Sequence, residues 1–532
     1  MQKRPSIVNI VNFIRAVEPR SDLDLYEPVR EQLALLEKHG LRGTFLLQYD
    51  ALLDKAYIDM LRGTPHEIGV WLEIVEPLVR DCGLAWRGRF PWDWHSHVGF
   101  SVGYTPEERE RLLDCLMEKF RAVFGAYPKS VASWMIDAHS LAYLSDKYHI
   151  SASANCKEQW GTDGYTIWGG YYNQAYYPSR TNALAPGGSA ETQIPLPVFR
   201  MLGSDPVLQY DYGLSLDSGA TASQGVITLE PVYSGSAGGG GLPAWVDWFL
   251  GEVMDGCCLS FNYAQAGQEN SFGWRGMKNG LNYQIEKLSA LAKAGKLRIE
   301  TLAETGDWFR ATYPLTPNSA TTALSDWKKE GKRSVWFCSR KYRVNFYSEG
   351  ETFWLRDLMI FDDAYAERYL RDTCKNENMI YDNLPVIDGN RWSGRGKRAG
   401  WYFRGNGGPL AVRDCAVEDS GGDLRLLLKA DGGRITITCR TASLEIVAED
   451  GLAFHLEMVW GLSAEMDGAA GLAGDTGIAG DGPGKAENGG KALKLRHEGF
   501  AYEVRLAAGF FRGGTVVPEN GRLLLSIPSG TP

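Results

Sequence analysis

A barrel of repeated β-α units followed by a β-rich domain is the architecture that this 532-residue sequence predicts, and three observations predict it. Over the first 310 or so residues, short apolar runs alternate with amphipathic segments, the pattern of a parallel sheet with crossover helices. From about Leu315 the helical period gives way to two-residue alternation, as in SVWFCSRKYRVNFYS and RITITCRTASLEIVA. The length exceeds one compact core and suits two or three domains, here divided as a (β/α)7-like barrel over 1–314 and a β-sandwich over 315–532.

Residues 6–14 (SIVNIVNFI) read as strand one, and 24–38 as a helix closed by Gly40. Residues 43–48 give strand two, 52–61 the next helix, and 66–74 (HEIGVWLEI) strand three. After an aromatic insertion, 105–124 forms a long helix whose start, Thr105-Pro-Glu-Glu108, matches a capping box. Strand four is 130–136, the helix 139–148 returns, and strand five is 150–155. The later units are strand 225–233, helix 243–254, strand 258–263, helix 277–294 and strand 297–302. Seven or eight strands in this order close most naturally into a barrel, with a doubly wound open sheet as the alternative. In the C-terminal half, 465–490 is rich in Gly, Ala and Asp without apolar periodicity and reads as a flexible surface loop between strands.

Composition removes several function classes. With 56 basic against 65 acidic residues, a net charge of -9 and no basic run, no polyanion-binding surface is expected, and nucleic acid is not an expected partner. No apolar run approaches the ~18 residues of a membrane span. The nine cysteines are odd in number and lack C-x-x-C spacing, and the N-terminal apolar stretch is broken by Asn9, Asn12 and Arg15, so a reduced, cytoplasmic setting is expected. Neither a G-x-S-x-G elbow nor a P-loop occurs. Seventeen Trp, 25 Tyr and 20 Phe form a heavy aromatic load, much of it in Gly-rich irregular segments, where ring faces could stack on sugar C–H surfaces or fill the undersides of loops.

In a parallel barrel the strand C-termini and the loops after them converge on one face, so polar residues that follow apolar runs are the candidates. Glu73 ends strand three with Trp71 two residues before it, Asp137 ends strand four just ahead of His139, Glu230 ends GVITLEP, and Glu269 follows LSFNYAQAGQ. Cleavage of a glycosidic bond uses two such carboxyls, one protonated and one ionised. Asp137 could equally cap the helix beginning near His139. The segment CKEQWGTDGYTIWGGYYNQAYYPSR is dense in aromatics and glycines; its turns could aim Asp163, Trp168, Tyr172, Tyr176 and Tyr177 into a common space, or it could pack upon itself. In WRGRFPWDWHSHVGF, alternation puts Asp93, His95 and His97 on one side, a three-ligand set for a catalytic metal or a group of hydrogen-bonding partners for sugar hydroxyls. Arg200 and Asp205 could line the same mouth or pair with each other.

His66-Glu-Ile-Gly69 resembles the HEIG run of the polysaccharide-deacetylase-like barrels of the glycoside hydrolase/deacetylase superfamily, and the likeness extends in strand order over roughly residues 5–310. In the metal-dependent deacetylases of that superfamily an Asp pair after strand one and two His after HEIG hold the metal. Here strand one continues as NFIRAVEPR and HEIG as Val70-Trp71-Leu72-Glu73, so those roles pass to no residue. The chain is also similar to the superfamily's retaining glycosidases of glycoside hydrolase families 38 and 57. In family 57 the nucleophile follows strand four and the acid/base strand seven, and by strand position this resemblance implies Asp137 and Glu269.

The expectation is therefore an exo-acting glycoside hydrolase on oligosaccharides, without cofactor. Asp137 attacks or activates water and Glu269 protonates the leaving group. Trp71, Glu73, Asp93, His95, His97, His139, Asp163, Trp168, Tyr176, Tyr177, Arg200 and Glu230 surround the sugar. A metal-dependent deacetylase using Asp93, His95 and His97, and a catalytically silent sugar-binding protein, are the alternatives. Association into homo-oligomers stays open.

Overall fold

The computed structural model describes residues 4–159, 167–214, 224–394, 396–461, 485–486 and 490–527. Its first part is built on strands β1 (Ser6–Ile14), β2 (Thr44–Leu47), β3 (Glu67–Trp71), β4 (Ser130–Ala132), β5 (Ala152–Cys156), β6 (Ala175–Tyr176), β7 (Val198–Met201), β8 (Asn262–Ala266) and β9 (Arg298–Glu300). Between them run helices α1 (Tyr26–His39), α2 (Lys55–Leu61), α3 (Glu76–Asp81), α4 (Ser96–Gly99), α5 (Pro106–Phe124), α6 (Ala138–Tyr148), α7 (Pro243–Trp248), α8 (Trp274–Lys293) and α9 (Leu302–Thr312).

Seven strands pair in parallel in the order β7-β5-β4-β3-β2-β1-β8, with β9 also parallel to β1 and β6 antiparallel on the outer side of β7. The sheet curls into a nearly closed barrel. Between β7 and β8 side chains meet instead of a ladder, with the Phe199 and Tyr263 rings 4.9 Å apart. The paired registers put Phe13 and Trp71 on the same face, where they stack with centroids 4.0 Å apart and Trp134 edge-on to both.

The elements with the strongest local signals fall where the sequence places them. Strand β1 is an unbroken buried run, and α5 starts with the full reciprocal capping box of Thr105 and Glu108 and ends at Gly125 in the left-handed region, φ 86°. Others shift. Residues 225–233 form no strand: Pro231 interrupts the run, and a single bridge joins Thr228 to Ser204. The barrel strand on that side is the four-residue β7 instead. The expected strand 258–263 moves to Asn262–Ala266, because Leu259 is drawn into the second core and Phe261 packs on Trp308 and Phe309.

The C-terminal half contains a ten-stranded and an eight-stranded antiparallel-dominated sheet. Val335, Phe337, Val344 and Phe346 of the first meet Leu424, Leu426, Ile435 and Ile437 of the second in one sandwich core. By two-residue alternation the opposite face of the first sheet, carrying Trp336, Cys338 and Tyr347, joins the barrel core. Among the described residues no disulfide joins the cysteines, and no helix is long and apolar enough to cross a membrane. The expected loop 465–490 lies almost wholly outside the described residues.

Candidate active site

The mouth of the barrel is organised by Arg15, the first residue past β1. Its guanidinium is fully buried and forms a two-point pair with Glu73, Nε to Oε2 at 3.0 Å and Nη2 to Oε1 at 2.9 Å, while Nη1 reaches Glu269 Oε2 at 2.8 Å. Glu18 lies 4.0 Å away and the Trp92 ring covers the guanidinium at 4.1 Å. Burial by itself would lower the Arg15 pKa, but these carboxylates outweigh it and raise the pKa above its ordinary value. The Asn270 side chain clamps the Arg15 backbone, accepting from its N–H at 3.0 Å and donating to its carbonyl at 2.8 Å. Gln48 Nε2 donates to Glu73 Oε2 at 2.6 Å, and Ser271 Oγ to Glu269 Oε1 at 2.6 Å.

A second carboxyl beside this network behaves differently. Glu230 accepts from Thr228 Oγ1 at 2.9 Å and from Gln268 Nε2 at 3.2 Å, and among the described residues no cation pairs with it. Burial pushes its pKa up to about 7, the two hydrogen bonds oppose the rise, and the charge of nearby Glu269 adds to it. Two neighbouring carboxyls thus differ in kind: Glu269 is neutralised by an arginine, whereas Glu230 holds its proton near neutral pH. Around them, Gln48 Oε1, Trp71 Nε1, Gln265 Oε1 and Gln268 Oε1 are buried without a hydrogen-bond partner. Buried polar atoms left this way cost about 1–3 kcal/mol each, a cost that a ligand bearing hydroxyls would remove.

The expected residues divide into three groups. Trp71, Glu73, Glu230 and Glu269 come together at the mouth. Asp93, His95 and His97 lie at its edge: Asp93 accepts from the backbone N–H groups of Arg89 and His95, and pairs with the His95 ring. The other described ones lie elsewhere. Asp137 caps α6 and is fully buried, with Oδ1 accepting from Arg109 Nη1 and Ser140 N and Oδ2 from the Ser101 and Ser140 hydroxyls. Every lone-pair direction is used, so the expected nucleophile is a structural cap. His139 sits 3.1 Å from Glu110 in an open groove of about 400 Å³ between α5 and α6, in the helical layer.

The aromatic segment after β5 packs the barrel against the first antiparallel sheet. Trp168 Nε1 donates to Asp388, the Tyr176 hydroxyl to Ala183 O, the Tyr177 hydroxyl to Tyr313 O, and Tyr172 stacks on Trp336 at 3.8 Å. Arg200 is buried 4.0 Å from Glu158, its nitrogens without hydrogen bonds, while Asp205 is held by Trp245 Nε1 and the Val207 and Leu208 N–H groups, so of the two alternatives the Arg200–Asp205 pair does not form. Asp163 lies outside the described residues. Arg15, Gln48, Gln265 and Gln268 were missed although Arg15 obeys the same rule as the acids, a polar residue ending an apolar strand run.

Neither group of acidic and histidine residues suits a divalent cation. The centre of the mouth already holds the Arg15 charge, and at the edge Arg89 Nη2 lies 3.0 Å from the His95 ring nitrogens. Among the described residues no group of three or more His, Cys, Asp or Glu has a metal-holding arrangement.

Among solved structures, this fold is shared with a candidate glycoside hydrolase/deacetylase from Parabacteroides distasonis, 15% identical over 70% of this chain and 88% of that one, with a TM-score of 0.50. A candidate polysaccharide deacetylase from Mycobacterium smegmatis matches at 13% identity over 59% of this chain and 93% of that one, with a TM-score of 0.36. At such identities the first likeness is one of fold alone. No family model and no curated protein matches.

Proposed function

We propose that this protein is a carbohydrate-active hydrolase that cleaves O-glycosidic bonds at the barrel mouth, with Glu230 as proton donor and Glu269 as its ionised partner. The observation that carries the reading is the unlike pair: one buried carboxyl near a pKa of 7 beside another bound to a guanidinium. Glu230 would protonate the leaving oxygen, and Glu269 would attack the anomeric carbon or activate water. Arg15 fixes Glu269 and Glu73 in place, and the unpartnered Gln48, Trp71, Gln265 and Gln268 atoms suit sugar hydroxyls, which both donate and accept. Against the sequence expectation, Glu269 takes the role given there to Asp137, which is fully engaged as a cap, and Glu230 takes the role of proton donor given there to Glu269. Preference for chain ends belongs to the same reading.

The test is incubation with aryl glycosides and oligosaccharides, with and without a chelator, following free sugar and free acetate separately. Chelator-insensitive release of sugar supports the reading. Acetate release abolished by the chelator overturns it.

A further inference from the structure

Among the described residues seven large apolar side chains stand exposed; four of them, Leu23, Tyr26, Leu53 and Phe272, lie in or at the end of the segments that follow barrel strands, and a fifth, Phe90, lies between α3 and α4. The other two, Tyr127 and Leu427, sit far from these loops in the chain, before β4 and in the eight-stranded sheet. The five are 36 to 45% exposed. Leu23 packs over Gly273, the neighbour of Phe272, and Phe272 meets Tyr233 at 6.2 Å. Leu53 adjoins Asp54, whose carboxylate anchors the Tyr26 hydroxyl, and the Tyr26 ring stacks on Tyr57 at 4.7 Å. Phe90 stacks on Trp94 at 5.4 Å, and Arg20 spans Trp94 and Trp92, the ring that covers Arg15.

The mouth is therefore polar within and apolar at its rim. Sugars are held by hydrogen-bonding groups and by aromatic ring faces, and leucine side chains at 43 to 45% exposure offer neither. Single exposed apolar residues are ordinary on any surface, but their concentration in the segments between barrel strands and the strands that follow marks a binding edge.

We infer that the substrate is amphiphilic, a glycoside whose sugar enters the polar mouth and whose apolar aglycone lies on the rim formed by Leu23, Leu53 and Phe272. This rests on the glycosidase reading and names its substrate class. No new bond chemistry is required: the aglycone leaves as an alcohol carrying the proton that Glu230 donates.

The experiment compares methyl and n-octyl glycosides of one sugar panel, both anomers, below the micelle concentration, in wild type, in Leu53→Ser and Leu23→Ser, and in Leu427→Ser as a remote control. Each methylene taken from water favours binding by about fourfold, so three or four buried methylenes give the octyl compound an advantage of roughly 60- to 250-fold in kcat/KM. The rim variants should pull that ratio toward one, with Leu427→Ser at the wild-type ratio. Equal kcat/KM for methyl and octyl compounds, or a ratio untouched by the rim variants, overturns the inference while leaving the glycosidase reading standing. If no glycoside is turned over, the glycosidase reading fails, and calorimetric binding of the same compounds decides the rim: octyl binding weakened in Leu53→Ser supports it, and absent or unaltered binding refutes it. Self-association abolished by the rim variants, with no octyl preference, would assign the rim to a second copy of the chain.

Discussion

Replacing Asp137 with Asn separates a structural carboxylate from a catalytic one. The side chain is fully buried and accepts four hydrogen bonds, from Ser101 Oγ at 2.6 Å, Ser140 Oγ at 2.8 Å, Ser140 N at 2.9 Å and Arg109 Nη1 at 3.0 Å. Burial alone would raise its pKa, but the Arg109 charge and the hydroxyl and amide donors hold it below the usual carboxylate range. Asn preserves the shape, removes the charge and turns one acceptor into a donor that faces hydroxyls. Breaking a buried pair costs about 3–5 kcal/mol, and for a domain of 150–250 residues each kcal/mol moves Tm by about 2–4 °C. The expected result is a Tm lowered by roughly 6–20 °C, with turnover per folded molecule near wild type when measured below both transitions. Because the native pKa is depressed, this contribution is complete above the unfolded value of about 3.9 and is lost as pH falls through the native one. The Tm gap between wild type and variant should therefore close in acid. An unchanged Tm together with a collapse of kcat would refute the capping role and return Asp137 to the chemistry.

Three further outcomes follow from the same geometry. Arg15→Lys exchanges a fork that serves Glu73 and Glu269 together for a single point charge, and kcat should fall by ~10- to 100-fold with little change in KM, the mark of lost positioning in the transition state, as read by steady-state kinetics. Glu230 is protonated below about 7, so the rate of wild type should fall as pH rises through that value. Its raised pKa also makes its contribution to stability complete below the unfolded value of about 4.3 and lost as pH rises toward 7, a loss that Glu230→Gln should remove from a Tm-versus-pH series. Lys157 is buried without a hydrogen bond over the Tyr172 ring, and desolvation, opposed by Glu158, lowers its pKa to about 7. Lys157→Met should accordingly raise Tm, most below pH 7, where the buried charge is present, and progressively less toward pH 10.

Local physics made much of the barrel readable. The run Ser6–Ile14 and the Thr105–Glu108 box carry their own structural instructions, and the structure follows them. What escaped was set by tertiary contacts. The four residues Val198–Met201 are too short to show a strand period, and the apolar run 225–233 looks like a strand yet is spent on core packing around Pro231. The Trp168–Tyr177 segment shows why aromatic density is ambiguous: its hydroxyl and indole groups find partners in Asp388, Tyr313 and Ala183, so the rings serve a seam between sheets. At the mouth, the rule of polar residues at strand ends found Glu73, Glu230 and Glu269. It missed Arg15 because only acids were sought.

Leaving-group dependence tests the Glu230–Glu269 assignment most directly. Hydrolysis of two glycosides of the same sugar is compared in wild type and Glu230→Gln, one with a dinitrophenyl leaving group that departs without a proton and one with a methyl group that needs it. If Glu230 is the proton donor, the variant should lose about 10²–10⁴-fold on the methyl glycoside, stay close to wild type on the dinitrophenyl glycoside, and no longer lose rate as pH rises through 7. Equal losses on both compounds, or wild-type rates on both, would contradict the assignment.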